Sequence, residues 1–386
     1  MAQIKILQVI IGKSSFGGAE KFVYEYYKNM DHSQVSFDIL FASFNTMVNA
    51  QDDSCFDDSR FYVLDSWDDN KQIKSFFTTI RAMCLFLKRH KCYDIIHINS
   101  GLWKFEIACI LAARINKVKR IIAHSHTAKP IDEKKSVLKR IKNKCMAWLI
   151  VKLVDDCFAC SEVAANHLFG DYFYSSKKGR IIKNAIDLDL YAFDDITRNQ
   201  IRKNEKVKDK TVVLGHVGRL CDVKNHLFLI DVFKEYHNIN RDSVLWIIGE
   251  GENRNLITKK IDEEGLNTSV RLFGVRSDVN NLMKAMDCFL LPSKYEGLSI
   301  VAVEAQASGL PIILSDCLSR EHKLSDKCIF CSLNLSPRDW ANNIVDLLND
   351  NNRIDSEKIV REKGYDIKEA AIELQGVYID MNYEKN

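Results

Sequence analysis

Residues Leu290 to Asp316, LLPSKYEGLSIVAVEAQASGLPIILSD, decide how the chain folds. The apolar run Cys288 to Leu291 is short and stops at Pro292, which predicts a buried parallel strand. A loop, Ser293 to Gly297, follows. From Ser299 the residues are apolar nearly all round, through Ile300, Val301, Ala302, Val303, Ala305 and Ala307, the pattern of a helix buried on every side. Gly309 and Pro311 end it, and Pro311 to Leu314 predicts a second strand. Strand, loop, buried helix and strand make a βαβ unit. In such sheets ligands sit outside the carboxyl ends of the strands.

Glu304 is the exception inside that unit. A carboxylate in an otherwise apolar helix needs partners, because burying a bare charge is far too costly. Glu296 stands eight positions earlier, in the loop before the helix. The two frame a helix start where the N–H groups of Leu298, Ser299 and Ile300 can receive phosphate oxygens. A phosphorylated, polyhydroxylated ligand satisfies all of these groups at once, its hydroxyls donating to the glutamates. A purely structural account, with Glu304 paired to a core cation and Glu296 solvated in its loop, stays open on the residues alone.

Working outward, 386 residues with 46% hydrophobic and only 4 Pro suit two packed domains and argue against disorder. No apolar run reaches the ~18 residues of a membrane-spanning helix, and Ile4 to Ile11 reads as a strand rather than a signal peptide, so a cytoplasmic location is expected. Most of the cysteines lie in apolar runs, and the pairs Cys157/Cys160 and Cys328/Cys331 fall in strand-like stretches whose i,i+3 offset points them to opposite faces, so they read as structural thiols. Residues 1 to 190 carry 28 Lys and Arg against 21 acids, whereas the remainder carries 27 against 31, so an anionic partner is expected at the first half.

Apolar runs alternate with helical patterns from the start of the chain, which predicts α/β with largely parallel sheets. The first strand enters Gly12-Lys13-Ser14-Ser15-Phe16-Gly17-Gly18 and then a helix. Glycines there let backbone approach a ligand, or simply make a tight turn. The strand over Arg120 to His124 leads into Ser125-His126, so that His124 and His126 share one face at a carboxyl end and can donate to a substrate hydroxyl or move a proton. Both can equally be core or capping histidines. Lys134 to Leu153 holds seven Lys or Arg and no acid around Val137, Leu138, Ile141, Cys145, Trp148 and Leu149, the pattern of an interfacial helix on anionic lipid or of a domain helix with a basic face.

The polar stretch Asp194 to Lys210 reads as a linker into a second domain, where the strand and helix pattern restarts. There Arg219 and Lys224 flank a turn before a helix, so both can face one anion. A diphosphate suits them, Arg as a fork and Lys as a point charge.

Together these pieces resemble the retaining nucleotide-sugar glycosyltransferases of family four, and within it the enzymes of bacterial capsule and exopolysaccharide assembly. The matching segments, in order, are GGAE (Gly17 to Glu20), AHSHT (Ala123 to Thr127), CSE (Cys160 to Glu162), NAID (Asn184 to Asp187), GRLCDVKN (Gly218 to Asn225), GEGENR (Gly249 to Arg254), LFGVRSDV (Leu272 to Val279) and the stretch Pro292 to Ile313, with Glu296 and Glu304 as the E-x7-E pair. Lys183 and Ala185 depart from the family's usual Pro and Gly around the hinge segment.

The resemblance implies a GT-B fold, two Rossmann-like domains facing across a cleft. It assigns residues 1–190, joined by the tail 366–386, to an acceptor-binding domain and 191–365 to a nucleotide-sugar-binding domain. It also implies site roles. Arg219 and Lys224 hold the donor diphosphate with the amides of Gly297, Leu298, Ser299 and Ile300 and the Gly17-Gly18 loop. Glu304 receives ribose hydroxyls, Glu296 receives those of the transferred sugar, and Val275 and Arg276 meet the base. His126, with His124 as the alternative, contacts the sugar near the reacting carbon. No metal or other cofactor is implied. The activity implied is transfer of a hexose or N-acetylhexosamine from a uridine diphosphate sugar to a glycan on a polyprenyl diphosphate; with the basic pattern of residues 134–153, peripheral contact at the inner face of an anionic membrane is the matching expectation. A nucleotide-sugar 2-epimerase on the same scaffold and a catalytically silent partner subunit are the alternatives; nucleic-acid binding lacks a recognised module.

Overall fold

The computed structural model describes residues 3–11, 18–42, 60–64, 72–127, 137–349, 353 and 356–383. The chain divides into two compact units, unit 1 comprising Met1–Ala185 with Ile367–Asn386 and unit 2 comprising Ile186–Asp366.

Unit 1 runs β1 (Ile4–Ile10), α1 (Gly18–Lys28), β2 (Val35–Phe41), β3 (Phe61–Val63), α2 (Gln72–Arg89), β4 (Ile95–Ser100) and α3 (Trp103–Ile115). It continues with β5 (Arg120–Ser125), α4 (Val137–Leu153), β6 (Asp156–Ala159), α5 (Glu162–Leu168), α6 (Tyr172–Ser175) and β7 (Gly179–Ile181). The seven strands form one parallel sheet in the order β3-β2-β1-β4-β5-β6-β7. Strand order reverses between β1 and β4, where a ligand crevice opens in sheets of this type.

Unit 2 begins with α7 (Leu188–Tyr191) and α8 (Asp195–Asn204), then β8 (Val212–Val217), α9 (His226–Ile239), β9 (Ser243–Ile248), α10 (Arg254–Glu263), β10 (Val270–Gly274) and α11 (Val279–Ala285). It ends with β11 (Cys288–Leu291), α12 (Ile300–Ala307), β12 (Ile312–Ser315), β13 (Cys328–Cys331), α13 (Pro337–Asn349) and α14 (Glu357–Glu362). Its six-stranded parallel sheet has the order β10-β9-β8-β11-β12-β13. The reversal falls between β8 and β11, so the Gly218 turn and the Pro292 to Gly297 loop leave the sheet side by side. The βαβ reading of Leu290 to Asp316 corresponds to β11, α12 and β12.

The last helix, α15 (Ile367–Tyr383), returns to unit 1, where Ile367, Ala371, Leu374, Tyr378 and Met381 join the core against α1. Gln375 Oε1 accepts from Asp31 N–H at 2.7 Å, and Arg120 Nε donates to the Met381 carbonyl at 2.8 Å.

The stretch Asp194 to Lys210 is not a linker. Most of it is α8, capped by Asp194 Oδ1, which accepts from Thr197 N–H at 2.7 Å. Arg198 and Arg202 bind Asp287 at 2.5 and 3.2 Å, and Arg202 is buried. Cations in a stretch that reads as a linker thus pair with Asp287, a half-buried carboxylate of unit 2. The unit boundary falls after Ala185 rather than after 190, because Ile186 bridges to Asp366 and donates its N–H to the Tyr365 carbonyl at 2.9 Å.

Candidate active site

In unit 2 the turn after β8 hangs on the turn after β9. Gly218 N–H donates to the Ile248 carbonyl at 2.9 Å, Leu220 N–H to the Glu250 carbonyl at 3.0 Å, and Asn253 N–H to the Leu220 carbonyl at 2.9 Å. Gly249 has φ +135°, and a Cβ there would lie 2.1 Å from the Gly218 carbonyl oxygen. Two backbones can meet this closely only because a glycine stands at that point. The Gly218 turn then closes in a short 3-10 turn, Asp222–Lys224, ended by Asn225 in the left-handed region at φ 59°, where Asn is among the few tolerated side chains.

Lys224 is the pivot. A Cβ on Gly218 would stand 3.1 Å from Lys224 Cε, so the missing side chain lets the lysine stem lie across the turn. Lys224 Nζ reaches Glu296 Oε1 at 2.6 Å, with each side chain only 16% exposed. Lys294 N–H donates to the Val223 carbonyl at 2.8 Å and ties the β11 exit loop to the same turn. Glu296 and Lys224, 72 residues apart, are therefore one charge pair at the start of α12, and Glu304 is buried on that helix.

Three expected site residues already have partners in this structure. Arg219 pairs with the exposed Glu252 at 3.1 Å. Ser299 N–H is not a free amide: it donates to His322 Nε2 at 3.0 Å, while His322 Nδ1 lies 2.9 Å from the Ser319 carbonyl. A carbonyl only accepts, so His322 carries its proton on Nδ1 and caps the helix with the Nε2 lone pair. Burial holds the His322 pKa below the ordinary value, in keeping with a neutral cap. Arg276 makes a two-pronged pair with Asp278 at 2.7 Å on each prong, beside Val275, which is 79% exposed after the positive-φ Gly274. Leu298 is buried, whereas Gly297 and Ile300 are partly exposed.

In unit 1, Gly18 opens α1, and Gly17 lies outside the described residues. His126 follows β5 and His124 lies within it, with their rings 3.9 Å apart between centroids. Phe22 of α1 covers both, its ring 4.8 Å from that of His124 and 5.0 Å from that of His126. Burial lowers all three neighbouring histidines, His126 to about 3 and His97 and His124 well below the ordinary value. They stay uncharged at neutral pH.

A family profile described as "Glycosyl transferases group 1" matches residues 197–366, and one described as "Glycosyltransferase Family 4" matches residues 16–190. The UDP-Gal:alpha-D-GlcNAc-diphosphoundecaprenol alpha-1,3-galactosyltransferase of Escherichia coli is 30% identical over 323 residues, which cover 78% of this chain and 78% of that protein. The chain belongs to glycosyltransferase family 4. The putative glycosyltransferase EpsF of Bacillus subtilis is 29% identical over 322 residues, covering 83% of this chain and 81% of its own. Among solved structures, Anabaena HepE in complex with UDP and glucose shares the fold, with a TM-score of 0.76 at 17% identity over 98% of this chain and 100% of that one. The parallel-sheet α/β units are those of a GT-B glycosyltransferase.

For this glycosyltransferase, sequence reasoning missed His322 as the cap of the α12 amide and missed the side chains beneath His126. The signal for the latter was present: Gln8, His97 and Asn99 interrupt the apolar runs of β1 and β4 just as His124 interrupts β5. The basic helix is α4, whose residues before Val137 lie outside the described ones. Ala147, Ile150 and Val151 face the core, while Leu138 is 80% and Trp148 51% exposed, with Ile141 and Cys145 also turned outward. Among the described residues no helix is long and apolar enough to cross a membrane.

Proposed function

We propose that this glycosyltransferase moves a hexose or N-acetylhexosamine from a uridine diphosphate sugar to a glycan carried on a polyprenyl diphosphate in bacterial surface polysaccharide synthesis. The observation that carries the reading is the Lys224–Glu296 pair at the start of α12, beside the buried Glu304. A donor diphosphate draws Lys224 off Glu296, and the freed carboxylate then accepts from hydroxyls of the sugar. One ligand thereby meets both halves of the pair, which limits the desolvation that either charge would suffer alone. Arg219, paired with Glu252 at the surface, swings to the same phosphates as a fork. The amides of Gly297, Leu298 and Ile300 add donors, Ser299 being engaged by His322. Glu304 accepts from the ribose, and backbone at Val275 and Arg276 meets the base. Gly17 and Gly18 are assigned to the phosphates and His126 to the sugar.

Chemistry then needs no nucleophile from the protein. The acceptor oxygen bonds to the anomeric carbon on the face from which the diphosphate leaves, the carbon–oxygen bond to phosphate breaks, and the departing phosphate oxygen takes the acceptor proton. Configuration is retained. Lys224, Arg219 and helix amides stabilise the charge growing on the leaving diphosphate, and no metal is required. The relatives support the substrate classes, since the E. coli enzyme is named for a UDP-sugar and a diphosphoundecaprenol acceptor. The outward stripe of α4, flanked by Arg140, Lys142 and Lys144, meets an anionic membrane surface where such acceptors lie.

The test is a panel of nucleotide diphosphate sugars scored for nucleotide release with and without a lipid-linked acceptor, with and without chelator, followed by determination of the anomeric configuration of the product. Acceptor-dependent release of uridine diphosphate, retained configuration and indifference to chelator are expected. Conversion of the donor without acceptor-dependent release would instead identify an isomerase, and donor binding without any turnover a silent partner subunit.

A further inference from the structure

Six polar side chains lie buried or half-buried on one face of the unit 1 sheet: Gln8 on β1, His97 and Asn99 on β4, His124 and His126 at β5, and Tyr378 on α15. They form a single chain of contacts. His126 Nε2 lies 3.0 Å from Asn99 Oδ1, Asn99 Nδ2 2.7 Å from Gln8 Oε1, and Gln8 Nε2 3.4 Å from the Tyr378 hydroxyl. The hydroxyl lies 2.7 Å from His97 Nδ1, and His97 Nε2 3.1 Å from His124 Nδ1. One further contact sets the direction of the chain. Asn99 Nδ2 is 3.3 Å from the His97 backbone carbonyl, which can only accept, so the amide nitrogen must point that way and Oδ1 must face His126.

The rest follows by donor and acceptor capacity. Asn99 Oδ1 accepts, so His126 donates from Nε2 and its Nδ1 keeps a lone pair. Gln8 Oε1 accepts from Asn99, so Gln8 donates to the Tyr378 oxygen. The Tyr378 oxygen could accept a second bond, but its own proton would then have no acceptor among the described residues; satisfying that proton makes the hydroxyl donate to His97 Nδ1, and His97 then donates from Nε2 to His124 Nδ1. The chain has two open ends, the His126 Nδ1 acceptor and the His124 Nε2 donor. Among the described residues those two atoms are buried without a hydrogen-bond partner, whereas every polar side-chain atom between them is engaged. Leaving an acceptor unpaired in a core is costly, so a free end beside a candidate active site marks a place prepared for a ligand.

We propose that Asn99, Gln8, Tyr378 and His97 are positioning residues that hold His126 in its Nε2–H tautomer, so that its Nδ1 lone pair accepts a hydrogen bond from a hydroxyl of the transferred sugar. The identity of that hydroxyl's owner rests on the transferase reading; the tautomer does not. Toward the sugar, His126 is thus an acceptor rather than a proton donor. The groups that face it, Asn99 from β4, His124 from β5 and Phe22 from α1, are uncharged, in keeping with a pKa that burial pushes down to about 3.

Imidazole nitrogen NMR of the full chain tests this directly. His126 is expected to be neutral and protonated on Nε2 from about pH 8 to about pH 5, and saturation with uridine diphosphate glucose or another turned-over donor shifts its Nδ1 resonance while uridine diphosphate alone does not. An Nδ1–H tautomer, an imidazolium in that range, or an Nδ1 resonance indifferent to the sugar overturns the proposal. Failure of turnover with the tautomer and the sugar-dependent shift intact sinks the transferase reading alone. Two variants add a kinetic readout. Tyr378→Phe removes one link and lowers kcat roughly fivefold to tenfold, with affinity for uridine diphosphate unchanged. Asn99→Asp sets a carboxylate against Nε2, favours the imidazolium, and makes kcat fall as pH drops through a new, higher His126 pKa. A pH-independent loss in Asn99→Asp would mean that the chain only supports the fold.

Discussion

The two units put opposite kinds of chemistry at the carboxyl ends of their sheets. Unit 2 presents charges, Lys224 against Glu296 and Arg219 against Glu252, each neutralised by a partner that a ligand can replace. Unit 1 presents neutral groups, a hydrogen-bonded chain from His126 round to His124 that is closed except at its ends. Charged pairs that are partly solvated can exchange partners at small cost, so unit 2 suits an anion that arrives and leaves. A buried neutral chain cannot rearrange without stranding donors in the core, so unit 1 suits a contact whose geometry must not vary. The difference is one of duty, gripping against aiming.

The largest effect expected from breaking this contrast comes from the scaffold of the charged side. Gly249→Ala places a Cβ against the Gly218 carbonyl at a φ that side chains avoid. Strain and overpacking together cost about 3 kcal/mol, and the displaced Gly218 turn carries Arg219 and Lys224 with it. Urea unfolding and calorimetry with uridine diphosphate should both show the loss; unaltered stability would mean that the two turns are not held by this contact.

Within the charged side itself, Lys224→Ala and Glu296→Gln should diverge. Losing the lysine removes a charge-assisted bond to phosphate and weakens uridine diphosphate binding roughly 10- to 100-fold. Losing the glutamate's charge frees the lysine, so affinity for the bare nucleotide holds or rises while sugar transfer drops. Equal losses of nucleotide affinity in both variants would break the idea that the donor separates this pair.

The charged side was legible in the sequence because charge and glycine are conspicuous there. Arg219, Lys224, Glu296, Glu304 and the glycines interrupt regular patterns at predicted strand exits. The state of each group was not legible. That Arg219 lies on Glu252, that Ser299 is capped by a histidine 23 residues on, and that Asp194 to Lys210 holds a helix all depend on partners brought close only by the fold. On the neutral side, His124 and His126 stood out, but Tyr378 reaches His97 across 281 positions, and helical periodicity assigns it only to a buried face. Sequence locates the site chiefly where local pattern is broken, and long-range polar contacts leave no such break.

Acid sharpens the contrast between the units through stability. Burial depresses His97, His124 and His126 in unit 1 and His216, His226 and His322 in unit 2, with His226 at about 4. The unfolded chain binds these protons below about pH 6.5 and the folded chain does not, so stability is complete above that value and falls as pH drops beneath it. Each histidine contributes a slope of up to about 1.4 kcal/mol per pH unit until its folded pKa is reached. Urea midpoints measured from pH 7.5 to 5, conditions chosen to bracket the ordinary histidine range, should decline with falling pH. A flat profile would show that the histidines take up protons in the folded state and that the neutral chain in unit 1 is not maintained.

The smallest structural effect is expected on the outer stripe of α4, which belongs to unit 1 yet takes no part in its polar chain. Leu138 and Trp148 are exposed, so Leu138→Ser with Trp148→Ser should change unfolding stability by less than about 0.5 kcal/mol. Flotation with acidic liposomes should nevertheless fall severalfold, because the stripe supplies apolar area and Arg140, Lys142 and Lys144 supply attraction to anionic headgroups. Unchanged flotation in the double variant, or salt-insensitive absence of binding in the parent chain, would remove the membrane from this helix. If flotation falls while turnover of a water-soluble acceptor analogue persists, the stripe delivers the enzyme to its acceptor and the neutral chain of unit 1 acts on the donor sugar alone.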